Sequence, residues 1–136
     1  ELTLKKGCYT KLKPSYLDIK NIKIGIKFYN KINAYNHTQA LVINNNKVIS
    51  FEKKEGTKEM LKSIKRKKYK NSILIKIPKP KQDLRADLPT IGIDTLNDCK
   101  KVGIKGIVVK ANQNIFLNRD RSIKFANNNK IFVVAL

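Results

Sequence analysis

The segment Lys76-Ile77-Pro78-Lys79-Pro80-Lys81-Gln82-Asp83-Leu84-Arg85-Ala86-Asp87-Leu88-Pro89-Thr90-Ile91-Gly92 constrains the fold of this chain more than any other. With prolines at 78, 80 and 89 and no apolar periodicity, it reads as neither a helix nor a central strand. Each proline fixes its own φ and biases the preceding residue away from helix, which holds the backbone extended. On one side lies the apolar run Ile73-Leu74-Ile75, and on the other a helix-like segment that opens near Asp94. A charged loop at the end of a buried strand is where α/β proteins tend to place their chemistry. Its stiff backbone would aim Asp83, Arg85 and Asp87 with little entropy left to lose on binding.

The apolar pattern predicts alternating helices and strands on either side. Ser15 to Asn33 reads as a helix capped by Ser15, with Leu17, Ile22, Phe28, Tyr29 and Ile32 recurring on one face. Gln39 to Ile43 and Val48 to Phe51 read as strands of a hairpin turning through Asn44 to Lys47, because Asn tolerates positive φ. Thr57 to Lys67 reads as a helix capped by Gly56 or Thr57, and Ile73 to Ile77 as a buried strand. Asp94 to Val102 reads as a helix capped by Asp94 or Thr95 and stopped by Gly103. Gly106 to Lys110 and Ile115 to Leu117 read as strands around Asn112-Gln113-Asn114, followed by a helix over Asp120 to Asn128 and a strand over Ile131 to Ala135. Residues Glu1 to Pro14 read as irregular. The expected fold is α/β with some α+β character: a single domain over residues 1–136, with a mixed β-sheet, hairpins and about four helices.

Composition narrows the function classes. The formal charge of +20 comes from 30 basic residues, of which 26 are lysine and four arginine. Nucleic-acid readers lean on arginine clustered with aromatics, whereas here lysine is scattered among Ile and Asn, so no nucleic-acid partner is expected. The densest run, Lys65-Arg66-Lys67-Lys68, is expected at the end of a helix, where cations suit the dipole. Its alternative is a surface attracted to anionic lipid or polyphosphate. A single histidine, His37, rules out a multi-histidine metal site or the usual histidine-based triad. Cys8 and Cys99 lack metal-ligand spacing and are expected as buried thiols of a reducing cytoplasm. No apolar run approaches the roughly 20 residues that span a bilayer. The start at Glu1, without an initiator Met, suggests a piece of a longer polypeptide or a processed chain.

The pattern Lys-x-Pro-Lys-Pro-x-Gln-Asp-x-Arg-x-Asp-Leu-Pro-Thr-Ile-Gly over 76–92 resembles the signature of the LpxI-type UDP-2,3-diacylglucosamine pyrophosphatases of lipid A biosynthesis. Glu52, Glu55-Gly56-Thr57 and Met60-Leu61 resemble that family's Glu-x-x-Glu-Gly-Thr-Asp-x-Met-Leu segment. Gly103-Ile104-Lys105-Gly106-Ile107 resembles its Ala-Gly-Leu-x-Gly-Ile turn, and Phe132-Val133-Val134 its closing strand. The likeness covers essentially the whole chain, but only the C-terminal, catalytic half of such enzymes. Their N-terminal, nucleotide-fold-like half has no counterpart here. The chain departs from the pattern where Asn36 stands for an aspartate, His37-Thr38 for an apolar residue and glycine, and Lys58 for the aspartate of Glu-Gly-Thr-Asp.

The resemblance implies hydrolysis of UDP-2,3-diacylglucosamine to UMP and 2,3-diacylglucosamine 1-phosphate (lipid X) with a divalent cation, Mg²⁺ being the expected one. It implies a cytoplasmic protein peripheral to the inner membrane, partnered by the missing N-terminal half and open to forming a homodimer. Water attack on a diphosphate needs positioning, charge neutralisation and metal, which suits this residue set. Asp87 is the key carboxylate for catalysis and metal, with Asp83 second and Glu55 as a further metal ligand. Arg85 would clamp phosphate oxygens, and Lys76 and Lys79 would add point charge. Gln39, Thr57, Gln82 and Thr90 complete the expected substrate-binding set. The alternative is a catalytically inactive remnant, or a domain that binds lipid-sugar phosphate or an anionic membrane surface. At the level of single residues, Asp87 could cap a turn, Arg85 could pair with Asp83 or Asp87, and Lys76 could be the polar side of a strand.

Overall fold

The computed structural model describes residues 3–32, 39–53, 55–78 and 90–136. Its elements run β1 (Gly7–Cys8), α1 (Tyr16–Ile32), β2 (Ala40–Asn44), β3 (Lys47–Phe51), α2 (Gly56–Lys62), α3 (Arg66–Tyr69) and β4 (Ser72–Lys76). They continue β5 (Thr90–Ile91), α4 (Ile93–Val102), β6 (Ile104–Val109), β7 (Ile115–Phe116), α5 (Arg119–Asn128) and β8 (Phe132–Ala135). Six strands form one mixed sheet in the order β1-β8-β6-β4-β2-β3, as the interleaved pattern predicted. At its centre β4, β6 and β8 are parallel, with α4 and α5 as the returning crossovers. The flanking strands β2 and β1 run antiparallel to β4 and β8.

The sheet is covered on both sides. Alternate residues Ala40, Val42, Leu74, Ile107, Val109 and Val133 face a core shared with Met60, Leu61, Leu96, Cys99 and Ala126 of α2, α4 and α5. Leu41, Ile43, Ile73 and Ile75 face the other way and meet Ile22 and Tyr29 of α1. Near-continuous buried strands at the sheet centre follow from this double cover. Two glycines permit close approach. A Cβ at Gly25 would lie 2.5 Å from Ile75 Cδ1, so glycine lets α1 lie close on the sheet. A Cβ at Gly106 would lie 2.0 Å from Phe132 Cζ, in ring-over-glycine packing between neighbouring strands.

Several local expectations hold. Asn45 and Asn46 take positive φ of 48° and 67° in the β2–β3 turn. Gly103 stops α4 with φ 80°. Ser15 and Asp18 form a reciprocal capping box, in which Ser15 Oγ accepts from the Asp18 N–H at 3.1 Å and Asp18 Oδ2 accepts from the Ser15 N–H at 2.9 Å.

Other expectations are corrected. The opening segment is not wholly irregular: Gly7–Cys8 adds an edge strand to β8, too short to show periodicity. Leu17 is exposed while Asp18 is buried, because Lys105 reaches Asp18 as an ion pair. The helix expected over 57–67 breaks at Lys65, whose extended backbone (ψ 106°) separates α2 from α3. The basic run 65–68 therefore opens its own short helix rather than closing a long one. Among the described residues no side chain caps the N-terminus of α2 or α4. β7 does not pair with β6, whose two edges are already taken by β4 and β8; it pairs instead, in parallel, with β5. Cys8 is exposed, and only Cys99 is buried.

Candidate active site

The parallel strands end together at one rim of the sheet, where Lys76, Val109 and Ala135 are in register, and the chain leaves it through Ile77 and Pro78. Its departure is fixed by backbone acceptors. Ile77 N–H donates to Gln39 O at 3.1 Å, and Asn114 Nδ2 donates to Lys76 O at 3.1 Å. Tyr29 Oη, coming from α1, donates toward Ile77 O at 3.1 Å and Pro78 O at 2.6 Å. Three consecutive carbonyls are thus held from both faces of the sheet. The return is fixed by β5 pairing with β7, and by Leu117 N–H donating to Ile91 O at 2.8 Å.

Lys76 ties the two anchors together. It faces the α2/α4 side of the sheet, is only 9% exposed, and its Nζ donates to Thr90 O at 3.2 Å. Burial lowers its pKa, and the neighbouring Glu52 carboxylate opposes that shift by favouring the ammonium. Glu52 is itself 9% exposed and accepts a hydrogen bond from Thr57 Oγ1. It lies just beyond β3, where its own N–H donates to Ala40 O at 2.8 Å. Behind Lys76, burial pushes the Cys99 thiol far above its ordinary range, with Asp98 adding to the shift, so it stays protonated at neutral pH.

The expected site residues separate accordingly. Lys76, Thr57, Gln39 and Thr90 converge on this rim, with Lys76 and Thr57 engaged inside the fold. Glu55 stands exposed in the turn before α2. Lys79, Gln82, Asp83, Arg85 and Asp87 lie outside the described residues, as do Asn36 and His37. Lys58 is exposed on α2. Reasoning from sequence placed buried Glu52 in the family motif without giving it a role, and missed buried Asn114. A carboxylate directly after an apolar strand was the signal for Glu52. Asn114 gave none, since its role depends on a side chain crossing to another strand.

Among the described residues no cluster of three His, Cys, Asp or Glu side chains forms a metal cage. The donor chemistry still fits a hard cation held sparsely, because Mg²⁺ uses one or two carboxylates plus water and substrate phosphate. Glu52 and the carboxylates of 79–89 are of that type.

With this rim in view, comparison with known proteins is direct. The family model of the LpxI C-terminal domain matches residues 5–134. The chain belongs to the LpxI C-terminal domain family. It is 29% identical over 144 residues to UDP-2,3-diacylglucosamine pyrophosphatase LpxI of Caulobacter vibrioides. That alignment covers 100% of this chain and 51% of the relative, so the chain spans about half the length of the curated relative it matches. Among the described residues no helix is long and apolar enough to cross a membrane.

Proposed function

We propose that this LpxI C-terminal domain carries the diphosphate-binding and catalytic part of a UDP-2,3-diacylglucosamine pyrophosphatase of lipid A biosynthesis. The reaction adds water across the P–O–P bond and yields UMP and 2,3-diacylglucosamine 1-phosphate. The observation that carries this reading is the anchoring of the chain on both sides of the segment 79–89. Residues 76–78 and Thr90, which flank the stretch of sequence that carries Asp83, Arg85 and Asp87, are held at one rim by Tyr29, Asn114 and Lys76. Fixed flanks support this reading, because phosphoryl-type chemistry rests on positioning and the protein does little covalent work.

In this reading Asp87 orients the attacking water and holds the cation, with Asp83 beside it. Arg85 forks onto phosphate oxygens and Lys79 adds point charge. Gln82, Thr90, Thr57 and Gln39 line the substrate path. Lys76 acts as a positioning residue, because its ammonium donates to Thr90 O inside the fold, with the Glu52 charge nearby. A divalent cation, when bound, supplies charge neutralisation on the diphosphate, and Asp87 with Glu52 or Glu55 would hold it. The protein would work at the cytoplasmic face of the inner membrane, with a partner half supplying the rest of the substrate site.

The test is UMP release from UDP-2,3-diacylglucosamine with Mg²⁺, by the domain alone and with the N-terminal half of the Caulobacter relative added. Turnover that disappears in Asp87→Ala, with the fold retained, is the expected result. Turnover surviving in that variant refutes the role of Asp87. Folded protein inactive under both conditions refutes catalysis and favours a domain that only binds lipid-sugar phosphate, a reading that the charge reversal at Lys58 supports.

A further inference from the structure

The outer face of α1 differs from the rest of the described surface. Among the described residues six large hydrophobic side chains stand exposed, and four of them, Leu12, Tyr16, Leu17 and Ile19, fall in the first turn of this helix or just before it. Tyr16 is 83% exposed and Leu17 66%, so their apolar surface contributes almost nothing to the core. Beyond this apolar foot, Lys20, Lys23, Lys27 and Lys31 are all exposed and recur at three- to four-residue spacing, forming one stripe along the helix. Lys11 and Lys13 stand exposed just before it. The acidic side chain of the segment, Asp18, points to the opposite side and is buried against Lys105.

We infer that this face docks on an anionic phospholipid bilayer. An apolar foot followed by a lysine stripe is the pattern of a helix lying in the membrane interface. The tyrosine and aliphatic side chains enter the headgroup boundary while ammonium groups meet lipid phosphate. Charge complementarity selects this occupant: six lysines and no exposed carboxylate line residues 11–31. The fold then orients the site. The far end of α1 delivers Tyr29 to Ile77 and Pro78, so a helix lying along the bilayer holds the catalytic rim beside the lipid plane. This deepens the proposed function by naming the surface that meets a lipid substrate's membrane; vesicle binding is measured without substrate, so the two readings fail separately.

The experiment sediments the protein with phosphatidylcholine vesicles, with and without phosphatidylglycerol, at low and raised salt. Binding is expected only with phosphatidylglycerol and is weakened by salt. Tyr16→Ser/Leu17→Ser and Lys20→Gln/Lys23→Gln/Lys27→Gln should each weaken it at least about tenfold. Lys65→Gln/Lys67→Gln/Lys68→Gln, on the α4 side of the sheet, should leave it within about twofold. All of these residues are exposed, and unchanged thermal melting of each variant confirms that the fold is intact. The proposal is overturned if the protein ignores phosphatidylglycerol vesicles, if the α3 variant loses as much as the α1 lysine variant, or if the apolar variant binds normally. Self-association abolished by Tyr16→Ser/Leu17→Ser, without vesicle binding, overturns it in favour of a second copy of the chain.

Discussion

Replacing Lys76 with methionine tests whether the rim is held by its buried ammonium. Methionine has nearly the length of lysine and is apolar, so the substitution adds little cavity cost. It removes the charge-assisted hydrogen bond from Nζ to Thr90 O, worth about 1.5–3 kcal/mol. It also removes the positive charge that acts on the neighbouring Glu52 carboxylate. The burial that lowers the Lys76 pKa is relieved in the variant, which offsets part of the loss. Thr57 still donates to Glu52 and reduces it further. The net expectation is a loss of about 1–3 kcal/mol, a sizeable part of the roughly 5–15 kcal/mol of a typical domain. Urea unfolding followed by circular dichroism measures it. The variant Glu52→Gln completes a double-mutant cycle with an expected coupling of about 1–3 kcal/mol. A loss below about 1 kcal/mol, or additivity within about 0.5 kcal/mol, would refute the pairing and return Lys76 to the role of a phosphate-binding charge.

Gly106→Ala should destabilise by about 3 kcal/mol in the same assay, because the added methyl meets the fully buried Phe132 ring; Phe132→Leu in the same chain should recover part of the loss, and a stable single variant would refute the packing. Burial tends to raise the Asp18 pKa, but hydrogen bonds from Lys105 and Ser15 outweigh it and hold the pKa below the ordinary 3.8. A depressed carboxylate pKa contributes stability that is fully present above the unfolded value and lost as pH falls through the folded one. Asp18→Asn should therefore be less stable than the parent at neutral pH, with the gap closing below pH 3.8; a gap that persists in acid would show that charge is not its source. A thiol reagent should modify Cys8 rapidly and Cys99 only on unfolding, and equal rates in native protein would contradict the burial of α4.

Local chemistry made much of the fold legible in the sequence. Ser15 three residues before Asp18, Asn45-Asn46 between two apolar runs, and Gly103 after a helical period each act within a few residues, so they declare themselves without a tertiary context. The apolar runs around Leu74, Val108 and Val133 likewise announced strands, the first of them as buried. The long proline-rich pattern also sufficed for the family, since it fixes residue types at set spacing.

What only the tertiary structure decided depends on contacts between segments distant in the chain. Gly7–Cys8 becomes a strand because β8 offers an edge, and β7 joins β5 because β6 has none left. Asp18 turns inward because Lys105, far along the chain, arrives to neutralise it. Lys76, read as polar strand surface or phosphate ligand, becomes a buried tie because Glu52 and Thr90 are brought beside it. In each case the side chain's own propensity is weak. Desolvation makes a buried charge or unpaired backbone group costly until a partner is supplied, and which partner stands there is settled by the packing of the whole domain.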